Sequence, residues 1–216
     1  MLIVKFSKTG QAAYIPHLDT LRAFIRTLKR AEISVKMSEG FNPHPCLYFS
    51  NPIPLGLETI AEYCAIDTDE REKDFAEKFN NFSPIGLKCN VAKKVVKNPN
   101  FANILSAAEY KMEIENLKNH KKFISGILNE PFILEYKTKT QTTKKDFRPL
   151  IYQISQDGDI IECVFSSGKE NLRHDIFIDE ILRLTKLNKV LSVLKTAQFY
   201  FDNNKLINAD AFLTAL

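Results

Sequence analysis

Between Tyr14 and Phe49 the chain gathers the side chains with the most chemistry, in the stretch YIPHLDTLRAFIRTLKRAEISVKMSEGFNPHPCLYF. His17 and His44 are two of its four histidines. Two imidazoles can divide general-base and general-acid work, because each titrates near neutrality. Asp19 could orient one of them, and an arginine could stabilise charge developing on a phosphate. His17, His44 and Asp19 therefore form the candidate catalytic set, and metal-independent phosphodiester cleavage is the chemistry it suits. Arg22, Arg26 and Arg30 stand four apart, so a helix aligns them in one row. Guanidinium forks suit phosphate or carboxylate better than lysines do. Phe41 and Tyr48, with Phe49 beside them, offer rings on which bases can stack. Asn42 and Glu62 complete the candidate binding set.

Each feature has a plainer reading. A row of charges is commonly a solvated helix face. The Pro-rich loop could lock helix to sheet, with Asn42 and His44 satisfying buried backbone groups. By type, His17, Asp19, His44 and Glu62 would also suit zinc or iron. Their spacing is not that of a local metal motif, so no metal and no cofactor is assigned.

These residues need elements to hold them. Pro16 fits the first turn of a helix, where a missing N–H costs nothing. Leu18, Leu21, Ile25 and Leu28 follow at helical spacing and predict one apolar stripe over a helix of residues 17–31. Ser38-Glu39-Gly40 marks a turn. Pro43 and Pro45 then bracket His44 and stiffen the backbone on both sides of it. A strand is expected from Cys46 to Phe49, with a rigid surface connection from Asn51 to Leu57 after it.

Around this stretch the pattern reads β-α-β-β-α-β. Strands are expected at Leu2 to Phe6, Cys46 to Phe49, Glu62 to Asp67 and Gly86 to Val96. The second helix runs from Glu70 to Asn81, with Phe75, Phe79 and Phe82 on its apolar side. After a linker at Lys97-Asn98-Pro99-Asn100, a similar order follows with an added strand. A helix is expected from Lys118 to Leu128, a mobile hairpin tip from Lys139 to Lys145, and a hairpin around Asp157-Gly158. A helix from Asp175 to Leu187 and a last strand from Ala197 to Asp202 close the chain. The expected fold class is α+β: two tandem ferredoxin-like (split β-α-β) halves with antiparallel sheets, over residues 1–97 and 106–216.

Composition narrows the partners. Residues 1–100 carry 14 Lys and Arg against 11 Asp and Glu, and residues 101–216 carry 16 against 15, so neither half is a basic tail. Nucleic acid, if bound, meets a local patch. No apolar run reaches the length of a membrane span and no secretory leader opens the chain, so a cytoplasmic protein without membrane contact is expected. Cys46, Cys64, Cys89 and Cys163 are scattered and read as small buried hydrophobes.

The HLDTLRAFIRTLKRAEI and SEGFNPHPCLYFSNPIPLGLETIAEY segments resemble the DUF2344 family of radical-SAM-linked proteins. The matching positions are His17, Asp19, Arg22, Arg30, Gly40, Phe41, Asn42, Pro43, His44 and Glu62; Glu39 departs from the small or amide residue expected there. Ser167-Gly168 to Arg173 is similar more weakly. The resemblance implies an association with a radical SAM protein, not a reaction. No two cysteines lie within four residues here, so the three-cysteine cluster motif is missing. The radical SAM protein would then be a separately encoded partner. The expectation is an accessory or substrate-recognition protein that binds RNA or another anionic substrate; the alternative is an RNA-processing or RNA-modifying enzyme using His17 and His44.

Overall fold

The computed structural model describes residues 1–137, 142–168 and 170–214. In chain order the strands are β1 (Leu2–Lys8), β2 (Leu47–Phe49), β3 (Glu58–Ile66), β4 (Leu87–Lys94), β5 (Leu105–Ile114), β6 (Ile133–Lys137), β7 (Thr142–Asp146), β8 (Ile151–Asp157), β9 (Ile160–Ser166), β10 (Val190–Asp202) and β11 (Lys205–Asn208). The α-helices are α1 (His17–Arg30), α2 (Glu72–Phe82), α3 (Phe101–Ile104), α4 (Lys121–Gly126), α5 (His174–Thr185) and α6 (Ala211–Thr214). Contacts divide the chain into two compact units, Met1–Leu105 with Ala197–Leu216, and Ser106–Thr196. Strand β10 thus supplies residues to both.

In the first unit the sheet order is β4-β1-β3-β10, with β2 added on β3 and β11 on β10. In the second it is β10-β5-β9-β8, and β6 and β7 form a separate ribbon. The β1–β3, β1–β4, β2–β3, β5–β9, β6–β7, β8–β9 and β10–β11 ladders are all antiparallel. The protein is therefore mixed α/β, with a mostly antiparallel sheet.

Alternation along the strands builds two cores in the first unit. Leu2, Val4 and Phe6 of β1, with Cys64 and Ile66 of β3, meet Phe24 and Leu28 of α1 and Phe75 and Phe79 of α2. Ile3 and Tyr63 point the other way, to Phe101, Leu105 and Ala209. The ends of the chain are tied to this second face: Asp210 accepts from Lys5 Nζ and from the Tyr63 hydroxyl, both at 2.7 Å. Gly86, at φ +85°, lies so close to Thr9 that a Cβ there would collide with the Thr9 carbonyl oxygen. The Thr9 N–H donates back to the Gly86 carbonyl at 2.8 Å, which fixes the loop that leads into α1.

Several expectations are corrected. The buried stripe of α1 is Thr20, Phe24, Thr27 and Leu28. Leu18 is 64% exposed, and Leu21 and Ile25 are half-buried. Leu28 is buried as expected, while the rest of the predicted stripe lies on a flank, because the aromatic at Phe24 centres the face that meets the sheet. Phe82 is exposed at the end of α2, while Phe75 and Phe79 are buried. The helix expected over 118–128 is a 3-10 turn (Leu117–His120) followed by short α4, since Gly126 is a poor helix former. β10 begins at Val190, and an additional hairpin to β11 turns at Asn203 and Asn204, both at positive φ. Of the mobile tip expected at 139–145, residues 142–145 belong to β7; residues 139–141 lie outside the described residues.

Candidate functional site

α1 starts without a side-chain cap. Pro16 precedes it, and its carbonyl accepts from the Thr20 N–H at 2.8 Å and the Thr20 hydroxyl at 3.1 Å. His17 and Asp19 therefore stand in the exposed first turn. Arg22, Arg26 and Arg30 are all exposed along the helix, so the row exists, but its members differ. Arg22 donates to Asp19 Oδ1 at 2.7 Å. Arg30 donates to the Phe82 carbonyl at 2.8 Å and to Thr27 Oγ1 at 3.4 Å, which turns it towards the end of α2. Asp19 thus pairs with a guanidinium.

The GFNPHP segment is the tip of a hairpin whose stem is the Met37–Pro45 bridge. Ser38 closes it. Its N–H donates to the His44 carbonyl at 2.8 Å, its hydroxyl accepts from the His44 N–H at 3.0 Å, and the same hydroxyl lies 2.8 Å from His44 Nδ1. One serine therefore fixes both the backbone and the ring of His44, leaving Nε2 on an exposed side chain. Gly40, at φ +117°, makes the bend. Phe41 and Asn42 are exposed at the tip. Below the stem, the Cys46 N–H donates to the Lys36 carbonyl at 2.9 Å, and the Lys36 N–H to the Asp67 carbonyl at 2.8 Å, tying the hairpin to the end of β3. The sequence signal for this contact is slight: a serine six residues before a proline-clamped histidine.

A second group of polar side chains lies where β1 ends and α1 begins. A cavity of about 20 Å³ is lined by Lys8, His17, Thr20, Phe49, Ser50 and Glu62, among others. Its size suits one water molecule. Lys8 and Glu62 are each only 3% exposed. The Lys8 ammonium donates to the Ile15 carbonyl at 2.5 Å and the Ala13 carbonyl at 3.4 Å. Burial lowers its pKa, and the charge of Glu62 opposes that shift. The Glu62 carboxylate accepts from Thr59 Oγ1 at 2.9 Å, Ser50 Oγ at 3.1 Å and Gln198 Nε2 at 3.3 Å. His17 meets the Phe49 ring edge-on, with centroids 6.0 Å apart. Two buried charges beneath an exposed imidazole are costly to maintain, and such groups concentrate at functional sites. The apolar pattern predicts a strand that ends at Phe6, whereas β1 runs two residues further and ends on Lys8.

The fold brings some of the predicted residues together and separates others. His17 and Glu62 share the small cavity; His44 does not line it. Glu62 is buried, so it meets Ser50, Thr59 and Gln198 where a surface-binding role was expected. Tyr48 projects to the opposite face of the sheet from α1, because its neighbours Leu47 and Phe49 pack on the core that α1 covers. Phe49 is occupied by edge contacts with Phe6 and Phe24. Ile25 and Lys29 of α1 share a groove with Met37 and Pro45 of the hairpin stem, which sets hairpin and helix side by side. Among the described residues, no three His, Cys, Asp or Glu side chains are grouped to hold a metal ion. No helix among them is long and apolar enough to cross a membrane.

This is a mixed α/β protein in which a basic helix lies against a rigid, histidine-bearing hairpin. Its residues 1–174 match the family model described as an uncharacterized protein conserved in bacteria (DUF2344), and the chain belongs to that family. The match contains α1, the hairpin and the Lys8–Glu62 cavity, and it stops at the first residue of α5. A comparison with curated proteins gives no match.

Proposed function

We propose that the chain is an accessory or substrate-recognition partner of a separately encoded radical SAM protein, and that it binds RNA or another anionic substrate through α1 and the GFNPHP hairpin. The observation that carries the anion-binding part is the exposed row Arg22, Arg26 and Arg30 on α1, a helix whose Ile25 and Lys29 adjoin the hairpin that holds Phe41 in solvent and the His44 ring in one direction. Guanidiniums take phosphates, and an exposed ring takes an unstacked base. The radical SAM part rests on the family resemblance alone. The same reading treats the two stretches 1–97 and 106–216 as ferredoxin-like halves in a cytoplasmic protein. The β-α-β-β-α-β order of the first unit and its β4-β1-β3-β2 pairing support that for the first half.

The test is binding of a labelled RNA oligonucleotide across a salt series. Affinity should fall steeply with salt, and Arg26→Ala should weaken binding and flatten the slope by about one phosphate contact. Absence of RNA binding at low salt removes the RNA reading; a stable co-purified complex with the radical SAM protein tests the partner reading separately.

The buried Lys8 and Glu62 beneath His17 favour a second reading, an RNA-processing enzyme in which His17 moves a proton and His44 assists. Cleavage that persists with chelator and disappears in both His17→Ala and His44→Ala would establish it. Cleavage unaffected by either substitution would dismiss it.

A further inference from the structure

The flank of α1 beside the hairpin is apolar and open. Leu18, Leu21 and Ile25 follow one another along it at helical spacing. Beyond Ile25 a groove of about 110 Å³ opens between Ile25 and Lys29 on one side and Val35, Met37 and Pro45 on the other. Leu18 is 64% exposed and Met37 47%. Phe41 stands free in solvent at the hairpin tip. Contiguous exposed apolar surface of this kind marks interaction sites. Its aliphatic and thioether character suits a packed side-chain interface better than base stacking, which needs rings. Its margin is cationic. Lys29 lines the groove, and Arg22 and Arg26 stand on the exposed side of the same helix. The carboxylates nearby in sequence are Asp19, already paired with Arg22, Glu32 just past the end of α1, and Glu39 in the hairpin, against the cations Arg22, Arg26, Lys29, Arg30 and Lys36.

We infer that this groove docks an amphipathic helix of a partner protein, apolar along one side and carrying carboxylates at its margins. A helix is the matching shape because anchors at i, i+3 and i+7 meet a strip that runs from Leu18 to Ile25, about 10 Å along the axis. Carboxylates are the matching charge because Lys29, Arg22 and Arg26 border the strip. The inference rests on the reading of the chain as a partner of another protein, and it does not depend on the anion-binding part.

The experiment uses the full chain with labelled methyl groups, followed by nuclear magnetic resonance. The probe is a helical peptide of about four turns, with leucines on one side and glutamates at their margins; the control peptide carries lysines in place of the glutamates. The glutamate peptide should shift the methyl signals of Leu18, Leu21, Ile25 and Met37, and the lysine peptide should not. The double variant Leu18→Gln/Met37→Gln, at two exposed positions, should weaken binding at least about ten-fold, the equivalent of one well-packed contact. Leu18→Gln alone should weaken it in the same direction if the double variant fails to fold. Unmoved methyls, or equal response to both peptides, would overturn the inference. So would self-association that the double variant abolishes, since a second copy would then cover the groove. A single-stranded RNA added to the same samples separates the two readings. If RNA binds through Arg26 and the peptide does not bind, docking falls and the anion site stands; the opposite pattern leaves docking and removes the anion site.

Discussion

Removing the carboxylate of Glu62 should unbalance the first unit more than any surface change. Glu62 is 3% exposed and shares its cavity with Lys8, equally buried. It also accepts hydrogen bonds from Ser50, Thr59 and Gln198. Glu62→Ala leaves an ammonium without its countercharge and deprives three donors of an acceptor. Each orphaned buried donor costs about 1–3 kcal/mol, and the loss of the charge that opposes the desolvation of Lys8 adds to this, so a total of about 3–5 kcal/mol is expected. For a chain of 216 residues each kcal/mol moves Tm by about 2–4 °C, so the expected fall is roughly 6–20 °C. Lys8→Met/Glu62→Leu removes both charges at once and should cost less than the two single changes together, by about 0.5–3 kcal/mol. Urea denaturation followed by circular dichroism gives all four corners of the cycle, provided the m-value is unchanged. A cost below about 1 kcal/mol for Glu62→Ala, or additivity within about 0.5 kcal/mol, would refute the claim that the two charges support each other.

Three other outcomes are expected. Ser38→Ala removes the contact to the His44 ring and the acceptor for the His44 N–H; it should cost about 1–2 kcal/mol and broaden or move the His44 imidazole resonance, which a histidine positioned only by its prolines would not show. Asp210→Ala should destabilise the first unit by about 2–4 kcal/mol, since it orphans both Lys5 Nζ and the buried Tyr63 hydroxyl; an unchanged denaturation midpoint would show that the C-terminal segment is not a structural tie. Lys8 gives a pH test. Its folded pKa is below 10.5, so between the folded value and 10.5 the unfolded chain binds more protons and this group adds stability as pH rises. Burial raises the Cys64 thiol well above its usual 9.0 and pushes Cys89 up to about 12, so these thiols withdraw stability as pH rises past 9. The stability difference between wild type and Lys8→Met isolates the lysine: it should shift in favour of wild type towards pH 10, and a flat difference would contradict the burial of its charge.

Much of the architecture was legible without coordinates. Helices α1 and α2, strands β1 to β4 and the hairpin at Asp157-Gly158 follow from apolar periodicity and turn residues, which act over a few positions. The GFNPHP loop was legible as rigid because proline restricts its own φ and its neighbour's backbone whatever surrounds it. The face of α1 was misread for the same local reason. Helical spacing allows both the Leu18, Leu21, Ile25 flank and the Phe24-centred stripe, and only the sheet decides which is covered.

What the sequence by itself determined is the inventory: an arginine row at four-residue spacing, a proline-clamped histidine, an imidazole at a helix start and a first hundred residues without a basic tail. What only the tertiary structure decided is who meets whom. Lys8 and Glu62 are 54 residues apart in the numbering yet line one cavity, because β1 and β3 pair antiparallel in a register that sets Phe6 opposite Glu62, with an irregularity between Phe6 and Lys8. Tyr48 lies beside Phe49 in the chain yet faces away from the arginines, because successive side chains of a strand leave by opposite faces. Spacing along the chain constrains neighbours within a turn or a strand; convergence of distant residues is set by strand order and register, and those arise from packing of the whole unit.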